Sequence, residues 1–299
     1  MMKLSHESKV RLGVGIGAFV LIIGLVFGIS RTLIHFDGPW DLDDVVPGLS
    51  GMDDMFDEDD LLDGGNYSAR PQQLSSATFD ADQFRYLDFD IAAATVDVKV
   101  VDDNKVRVIE RGRVAKGVDA SKAATQNIAS VEDSTLKVSR SGSDDGKAID
   151  RSVTVELPRR VAEHLKGINA HVGSGDLQIA GVICDGLDLF LGAGDVEFTG
   201  SVTDALSAEV GSGDVTFELY QAPAKSMDVS VDSGDVEITV PNSTGFTASL
   251  TVGSGDFESG FLPLGYDGET ILNLEFDNGD KSATYRFEVG SGDMSFDPE

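Results

Sequence analysis

The sequence predicts a mainly β chain: a single-stranded β-solenoid of about 19–21-residue coils, preceded by one N-terminal transmembrane helix. Three observations predict it. A short corner phrase, Gly-Ser-Gly-Asp followed by an apolar residue, recurs along the second half of the chain. The residues flanking each copy alternate apolar and polar. An uncharged apolar run opens the chain.

The corner copies are Gly173-Ser174-Gly175-Asp176, Gly192-Ala193-Gly194-Asp195, Gly211-Ser212-Gly213-Asp214, Asp232-Ser233-Gly234-Asp235, Gly253-Ser254-Gly255-Asp256 and Gly290-Ser291-Gly292-Asp293. Their aspartates are spaced by 19, 19, 21, 21 and 37 residues. A fixed period near 20 residues marks units that bury their apolar faces only against one another. The long gap is close to two periods, and Asn278-Gly279-Asp280 inside it reads as a degenerate copy. Around the corners, runs such as Ile168–Val172, Leu187–Leu191 and Val236–Val240 alternate with period two, the signature of strands. Gly175, Gly194, Gly213, Gly234, Gly255 and Gly292 are expected to supply turns at positive φ. Each unit thus reads as strand, tight corner, strand and return. A β-sandwich also uses many short strands, but it does not require one corner at near-constant spacing.

Taken from the N-terminus, residues 1–11 read as a cytoplasmic tail and 12–34 as the membrane helix. Residues 12–29 carry no charge, close to the lower limit for crossing ~30 Å of hydrocarbon. Val26-Phe27-Gly28-Ile29-Ser30 is a poor cleavage site, which favours an anchor over a signal peptide. Lys3, Lys9 and Arg11 precede the run and only Arg31 follows closely, so the positive-inside rule puts the remainder outside the cell. Trp40 then belongs to the outer interface. Residues 35–78 read as an acidic, disordered stalk; between Asp37 and Asp63 there are ten Asp and one Glu with no Lys or Arg. Residues 79–299 form the solenoid ectodomain. Within it, 79–160 reads as irregular strands covering the first coil, 116–134 as a loop or short helix, and Arg159–Lys166 as one or two helical turns.

The net charge of −29 argues against nucleic acid as a partner and against adsorption onto anionic lipid. The single Cys184 excludes an intramolecular disulfide and a cysteine-based zinc cluster.

Leu157-Pro158, the Ile168–Val172 strand, the serial Gly-Ser-Gly-Asp units and the strands Leu87–Val100 and Lys105–Val108 together resemble the bacterial putative-adhesin β-strand-repeat family, over about residues 79–299. The resemblance implies a β-repeat envelope domain of unknown activity at the cell surface. The chain departs from it in the 37-residue gap.

The ladder Asp176, Asp195, Asp214, Asp235, Asp256 and Asp293 is the only repeated chemical feature. Structurally, each carboxylate would accept backbone N–H groups at its own corner. Chemically, calcium would have to bridge Asp176, Asp195, Asp214, Asp235 and Asp256 between coils with help from carbonyls, because the calcium-binding nonapeptide period is about half as long. Glycoside hydrolysis requires two carboxylates in unlike environments, and a ladder offers equivalent ones. His6, His35, His164 and His171 belong to no catalytic motif, with His171 expected on the solvent side. Tyr220, Tyr266 and Tyr285 would stack on sugars if exposed, although Tyr220 also suits packing at a coil end. No catalytic residue and no cofactor is assigned. The expected role is a non-enzymatic surface-interaction or adhesin-like module, held to the membrane by residues 12–34 and binding a cell-surface polymer or envelope protein. The alternatives are an envelope-stress or signalling accessory, for which Gly13/Gly17 and Gly24/Gly28 offer helix-packing spacing, and a polysaccharide-acting enzyme.

Overall fold

The computed structural model describes residues 66–140, 146–262 and 272–299. The expected tail, membrane helix and most of the stalk (residues 1–65), with Trp40, lie outside them. Among the described residues no helix is long and apolar enough to cross a membrane.

In chain order the strands are β1 (Gln72–Asp80), β2 (Tyr86–Ile91), β3 (Thr95–Val101), β4 (Lys105–Val114), β5 (Ala129–Glu132), β6 (Thr135–Arg140), β7 (Ala148–Pro158), β8 (Leu165–Ser174) and β9 (Leu177–Ala193). They continue as β10 (Val196–Val210), β11 (Val215–Gln221), β12 (Ser226–Ser233), β13 (Val236–Val240), β14 (Phe246–Val252), β15 (Phe257–Glu258), β16 (Leu272–Asn278), β17 (Ala283–Ser291) and β18 (Met294–Pro298). One-turn helices α1 (Ala120–Ala123) and α2 (Arg159–Ala162) fall where the sequence allows short helix. Strand β1 begins at Gln72, inside the stretch expected to be stalk, because its residues pair antiparallel with β4.

Every coil contributes one strand to a first face, turns a corner, and contributes the next strand to a second face. The first face runs β5–β6–β2–β8–β9–β10–β12–β17–β14–β16. The second runs β1–β4–β7–β3–β9–β10–β11–β13–β18–β15. The long strands β9 and β10 pass through both. Neighbouring coils pair parallel, and the terminal strands β1, β4, β5 and β16 are the antiparallel exceptions. The fold is therefore mainly β and solenoid-like.

The stacking order departs from the sequence order at both ends. The first coil, β2–β3, lies between β8–β9 and β6–β7. The last, β17–β18, lies between β12–β13 and β14–β15. This corrects the expectation for the 37-residue gap. Among the described residues the gap forms no further coil: β16 runs antiparallel along β14, and Asn278-Gly279-Asp280 begins the turn back into β17. Gly279 does sit at φ +60, but as part of that reversal.

Alternation fills the space between the faces with aligned apolar rungs. One ladder reads Val153, Val96, Leu177, Val196, Val215, Val236, Met294 and Phe257, all buried and in register. Burying a Val or Leu side chain contributes about 1.5–3 kcal/mol, and identical register repeats that gain at every coil. At the β14–β16 end the rungs become aromatic: Phe246 meets Phe261, Phe276, Tyr285 and Phe296 at ring-centroid distances of 5.1–5.8 Å. Tyr285, a candidate sugar platform in the sequence, is buried there, and its hydroxyl donates to the Pro223 carbonyl at 2.8 Å. Burial pushes that hydroxyl's pKa upward.

The opposite end is closed by a buried ionic cluster. Glu110 on β4 is fully buried. Its Oε1 accepts from Thr125 Oγ1 at 2.7 Å and from Arg151 Nη1 at 2.8 Å; its Oε2 accepts from the Thr125 N–H at 2.8 Å and Ser75 Oγ at 3.0 Å. Arg140, at an inward position on β6, lies 3.8 Å from the same carboxylate and donates through Nη1 to the Ala93 carbonyl at 2.6 Å. One side chain thus ties β1, β4, β6, β7 and the α1 connection together. Removing one member of a buried, hydrogen-bonded ion pair typically costs about 3–5 kcal/mol. We expect Glu110→Ala to lower stability by about that amount in a urea titration, and Tyr285→Phe by about 1 kcal/mol for its single hydrogen bond. A Glu110→Ala change below about 1 kcal/mol would mean that the cluster does not hold this end closed.

Candidate functional site

Two surfaces and one pocket concentrate chemistry. The first surface is the corner. Gly213 adopts φ +135, and a Cβ built on it would fall on the carbonyl oxygen of Gly194 in the preceding coil. Only glycine satisfies both the dihedral and the approach. Gly175, Gly194, Gly234, Gly255 and Gly292 repeat the positive φ, as the sequence predicts. With the backbones this close, hydrogen bonds cross the corner without a break: Gly194 N–H to Ser212 O at 2.9 Å, Val196 N–H to Asp214 O at 2.9 Å, and equivalents above and below.

The aspartates join this ladder, though not as expected. All but Asp256, the last in the stack, accept from the neighbouring coil rather than from their own corners. The Asp214 N–H donates to Asp195 Oδ1 at 3.0 Å, Asp235 N–H to Asp214 Oδ1 at 3.0 Å, Asp293 N–H to Asp235 Oδ1 at 2.8 Å and Asp256 N–H to Asp293 Oδ1 at 2.9 Å. Asp195 N–H to Asp176 Oδ1 is longer, at 3.4 Å. The spatial order is therefore Asp176, Asp195, Asp214, Asp235, Asp293, Asp256, with the inserted last coil in its proper place. Beside the last four lies a shallow groove of about 470 Å³ that also takes in Glu237 and Glu258. Among the described residues no group of three or more His, Cys, Asp or Glu side chains converges as metal ligands.

The second surface is the outer side of the first face. Its outward positions form straight rows because the register is constant. Tyr86, Gly167, Gly186, Ala205 and Ser226 make one row; Asp88, Asn169, Asp188, Ser207 and Asp228 make the next. Together they line a groove of about 530 Å³. Small residues form its floor, and Tyr86 lies across Gly167 so closely that a Cβ there would sit 3.1 Å from its ring. Tyr86 is 46 % exposed. Two residues further along the strands, His171 and Phe190 stack at 4.5 Å with an interplanar angle of 14°. His171 faces solvent, as expected, and Phe190 is 37 % exposed. Beyond the groove floor, Lys166 pairs with Asp185 at 2.6 Å and Lys225 with Asp204 at 2.7 Å. The hydrogen bond from Lys166 holds the Asp185 carboxyl below its ordinary value and raises the lysine's own.

Tyr86 and Phe190 went unnoticed in the sequence as site residues. The signal was present: both are aromatic at positions where the alternation calls for a polar residue. Tyr220, expected to pack at a coil end, is instead 53 % exposed, and Tyr266 lies outside the described residues. Cys184 is buried, and burial, with the nearby Asp185 charge, pushes its thiol up to about 12.

The Toastrack DUF4097 family model matches residues 118–296, more than half of the chain. A putative cell adhesion protein from Clostridium sporogenes is similar in structure at 15 % identity and a TM-score of 0.45, covering 77 % of this chain and 100 % of its own. A putative adhesin from Bacteroides fragilis follows at 13 % and 0.40, covering 76 % and 98 %, and one from Parabacteroides merdae at 12 % and 0.31, covering 76 % and 97 %. No curated protein sequence matches the chain.

If the corner is the keystone described, Gly213→Val should lose more than about 3 kcal/mol, combining a strained φ with a backbone collision; a variant that melts with the native chain would refute the assignment. Since five of the six ladder carboxylates already accept a backbone N–H, EDTA should leave the melting temperature unchanged. A clear drop on chelation would reveal an ion bridging the coils.

Proposed function

This chain belongs to the Toastrack DUF4097 family, and we propose on that footing that it is a membrane-anchored, non-enzymatic surface-interaction module that engages a cell-surface polymer through the outer side of its first face. One observation carries the proposal: a flat array of in-register rows in which exposed Tyr86 and the His171–Phe190 stack flank a groove walled by Asp88, Asn169 and Asp188. Exposed rings offer flat apolar platforms, and the carboxylates and amide between them accept and donate hydrogen bonds to hydroxyls. The spacing between coils is that of parallel strands, about 4.8 Å, so a partner with its own repeat meets equivalent groups along its length. With a net charge of −29 a neutral polymer is favoured over an anionic one.

The anchor is part of the same proposal. The apolar run 12–34, with Lys3, Lys9 and Arg11 before it, supports a single span with the N-terminus in the cytoplasm. The acidic stretch from Asp37 to Asp63 then serves as a self-repelling spacer that holds the ectodomain away from the lipid.

The test is incubation of the full-length chain in detergent micelles with insoluble cell-wall and host-type glycans, scoring both retention and released fragments. Retention without release is the expected result. Aromatic contacts contribute about 0.5–1.5 kcal/mol each, so the Tyr86→Ser, Phe190→Ser double variant should weaken retention about tenfold with its melting temperature preserved. Released fragments would replace binding by polysaccharide cleavage. Absence of retention would remove the polymer and leave an envelope protein as the partner to seek.

A further inference from the structure

A further pocket opens at the start of the first-face strands, next to Tyr86 but outside the groove that Tyr86 lines. It forms where two connections meet. The turn between β1 and β2 supplies Ala81, Asp82, Phe84 and Arg85; the helix α2 and the residues after it supply Arg160, Val161 and His164. A backbone hydrogen bond ties the two together, Lys166 N–H to Arg85 O at 2.7 Å, and within the second connection His164 N–H donates to Val161 O at 3.0 Å. Arg160 is steadied from a third connection by its bond to Asn104 O at 3.1 Å. The cavity measures about 260 Å³, and Ala81, Phe84 and Val161 give it a buried apolar floor.

Its charge is inverted relative to the rest of the molecule. The chain carries 52 acidic against 23 Lys and Arg side chains, yet two arginines and a histidine line this pocket against one carboxylate, Asp82. The cations around it are satisfied internally: Lys105 pairs with Asp80, Arg159 with Asp102 and Glu163, and Lys166 with Asp185. Among the described residues Arg85, Arg160 and His164 form no ion pair, although acids abound nearby. All three are exposed, so their N–H donors are open to an oxyanion from solution.

We propose that this pocket binds a phosphate group. The guanidinium is a planar fork of N–H donors suited to oxyanions, and a neutral or protonated imidazole adds a further N–H. Donors on two separate connections approach from different directions. A tetrahedral phosphate presents oxygens to all of them, whereas a planar carboxylate is matched by a single fork. The apolar floor accepts the first carbons of whatever bears the phosphate. At about 8 Å of screening length in physiological salt, the acidic remainder of the molecule does not cancel the local attraction. The site stands independently of the polymer-binding face.

The experiment is calorimetric titration of the full-length chain in detergent micelles with inorganic phosphate, alongside the Arg85→Gln and Arg160→Gln single variants and their double. Saturable binding that weakens about tenfold in each single variant and vanishes in the double is the expected result; Arg85→Gln, whose side chain makes no hydrogen bond or ion pair among the described residues, guards against a folding artefact, checked by its melting temperature. The same phosphate titration repeated with the chain in neutral vesicles and in vesicles carrying a phosphate-monoester lipid identifies the source. Competition by that lipid assigns the site to a headgroup, and its absence assigns it to a soluble or polymer-borne phosphate. Failure to bind phosphate in both formats, or binding equal in all variants, overturns the proposal.

Discussion

The corner glycine is the constraint on which the rest of this structure depends. Parallel strands need their backbones about 4.8 Å apart, and a chain that turns sharply at every coil must keep that distance through the turn as well as along the strands. At Gly213 the next backbone occupies the place of a side chain. The consequences follow in order. The hydrogen-bond ladder runs around the corner without a gap, the faces on either side share one register, and the inward apolar rungs align. The Asp carboxylate, one residue on, is then carried within reach of the N–H in the adjoining coil. Like charges about 5 Å apart in water repel by roughly 1 kcal/mol. A charge-assisted hydrogen bond at each rung offsets that repulsion, which is how an exposed acidic stripe survives along a stacked edge.

A solenoid has two ends with unpaired strands, and such ends invite fraying or association. Here both ends are handled by the same topological device and opposite chemistry. The first and last coils are each inserted one step inward, so neither chain-terminal coil is left at the edge. The coils that do lie at the edge, β6–β7 and β14–β15, receive antiparallel strands. Beneath those strands one end is closed by the buried Glu110 cluster and the other by rings around Phe246. Aromatic closure gains from area. Ionic closure gains little net energy over an apolar equivalent but penalises any misplacement, and so it specifies which strand lies where.

The repeat was legible because its causes are local. Positive φ demands glycine, alternation demands period two, and both leave marks within a few residues. The corner positions from Gly175 to Gly292 and the inward rungs could therefore be read directly. The order of coils could not, because Asp256 and Asp293 are neighbours through a pairing of distant segments, and spacing alone made a 37-residue gap look like a missing coil. Glu110 and Arg140 were equally hidden, since each is a charged residue in a strand whose partners come from several other elements. Tyr285 and Tyr220 exchanged expected roles for a related reason. A tyrosine suits core and surface alike, and only the phase of its strand decides. Tyr285 shares the inward phase of Phe287 and Val289, whereas Tyr220 follows inward Leu219 and points out.

What repeats in this chain builds the scaffold, and departures from the repeat mark the places where it meets something else. The corner aspartates short of terminal Asp256 are equivalent, each engaged with the next backbone, and such equivalence is poor material for a selective site. By contrast Tyr86 puts a ring where the neighbouring coils put Gly167 and Thr135, and Phe190 where the next coil puts Glu209, on the same face. Arg85, Arg160 and His164 collect positive charge on connections outside the periodic part of an acidic chain. Each departure leaves exposed apolar surface or donors that only water engages. A partner that covers the rings gains from their burial, and an oxyanion finds donors free at the arginines, which is the physical reason to look for binding at the irregular positions rather than along the aspartate ladder.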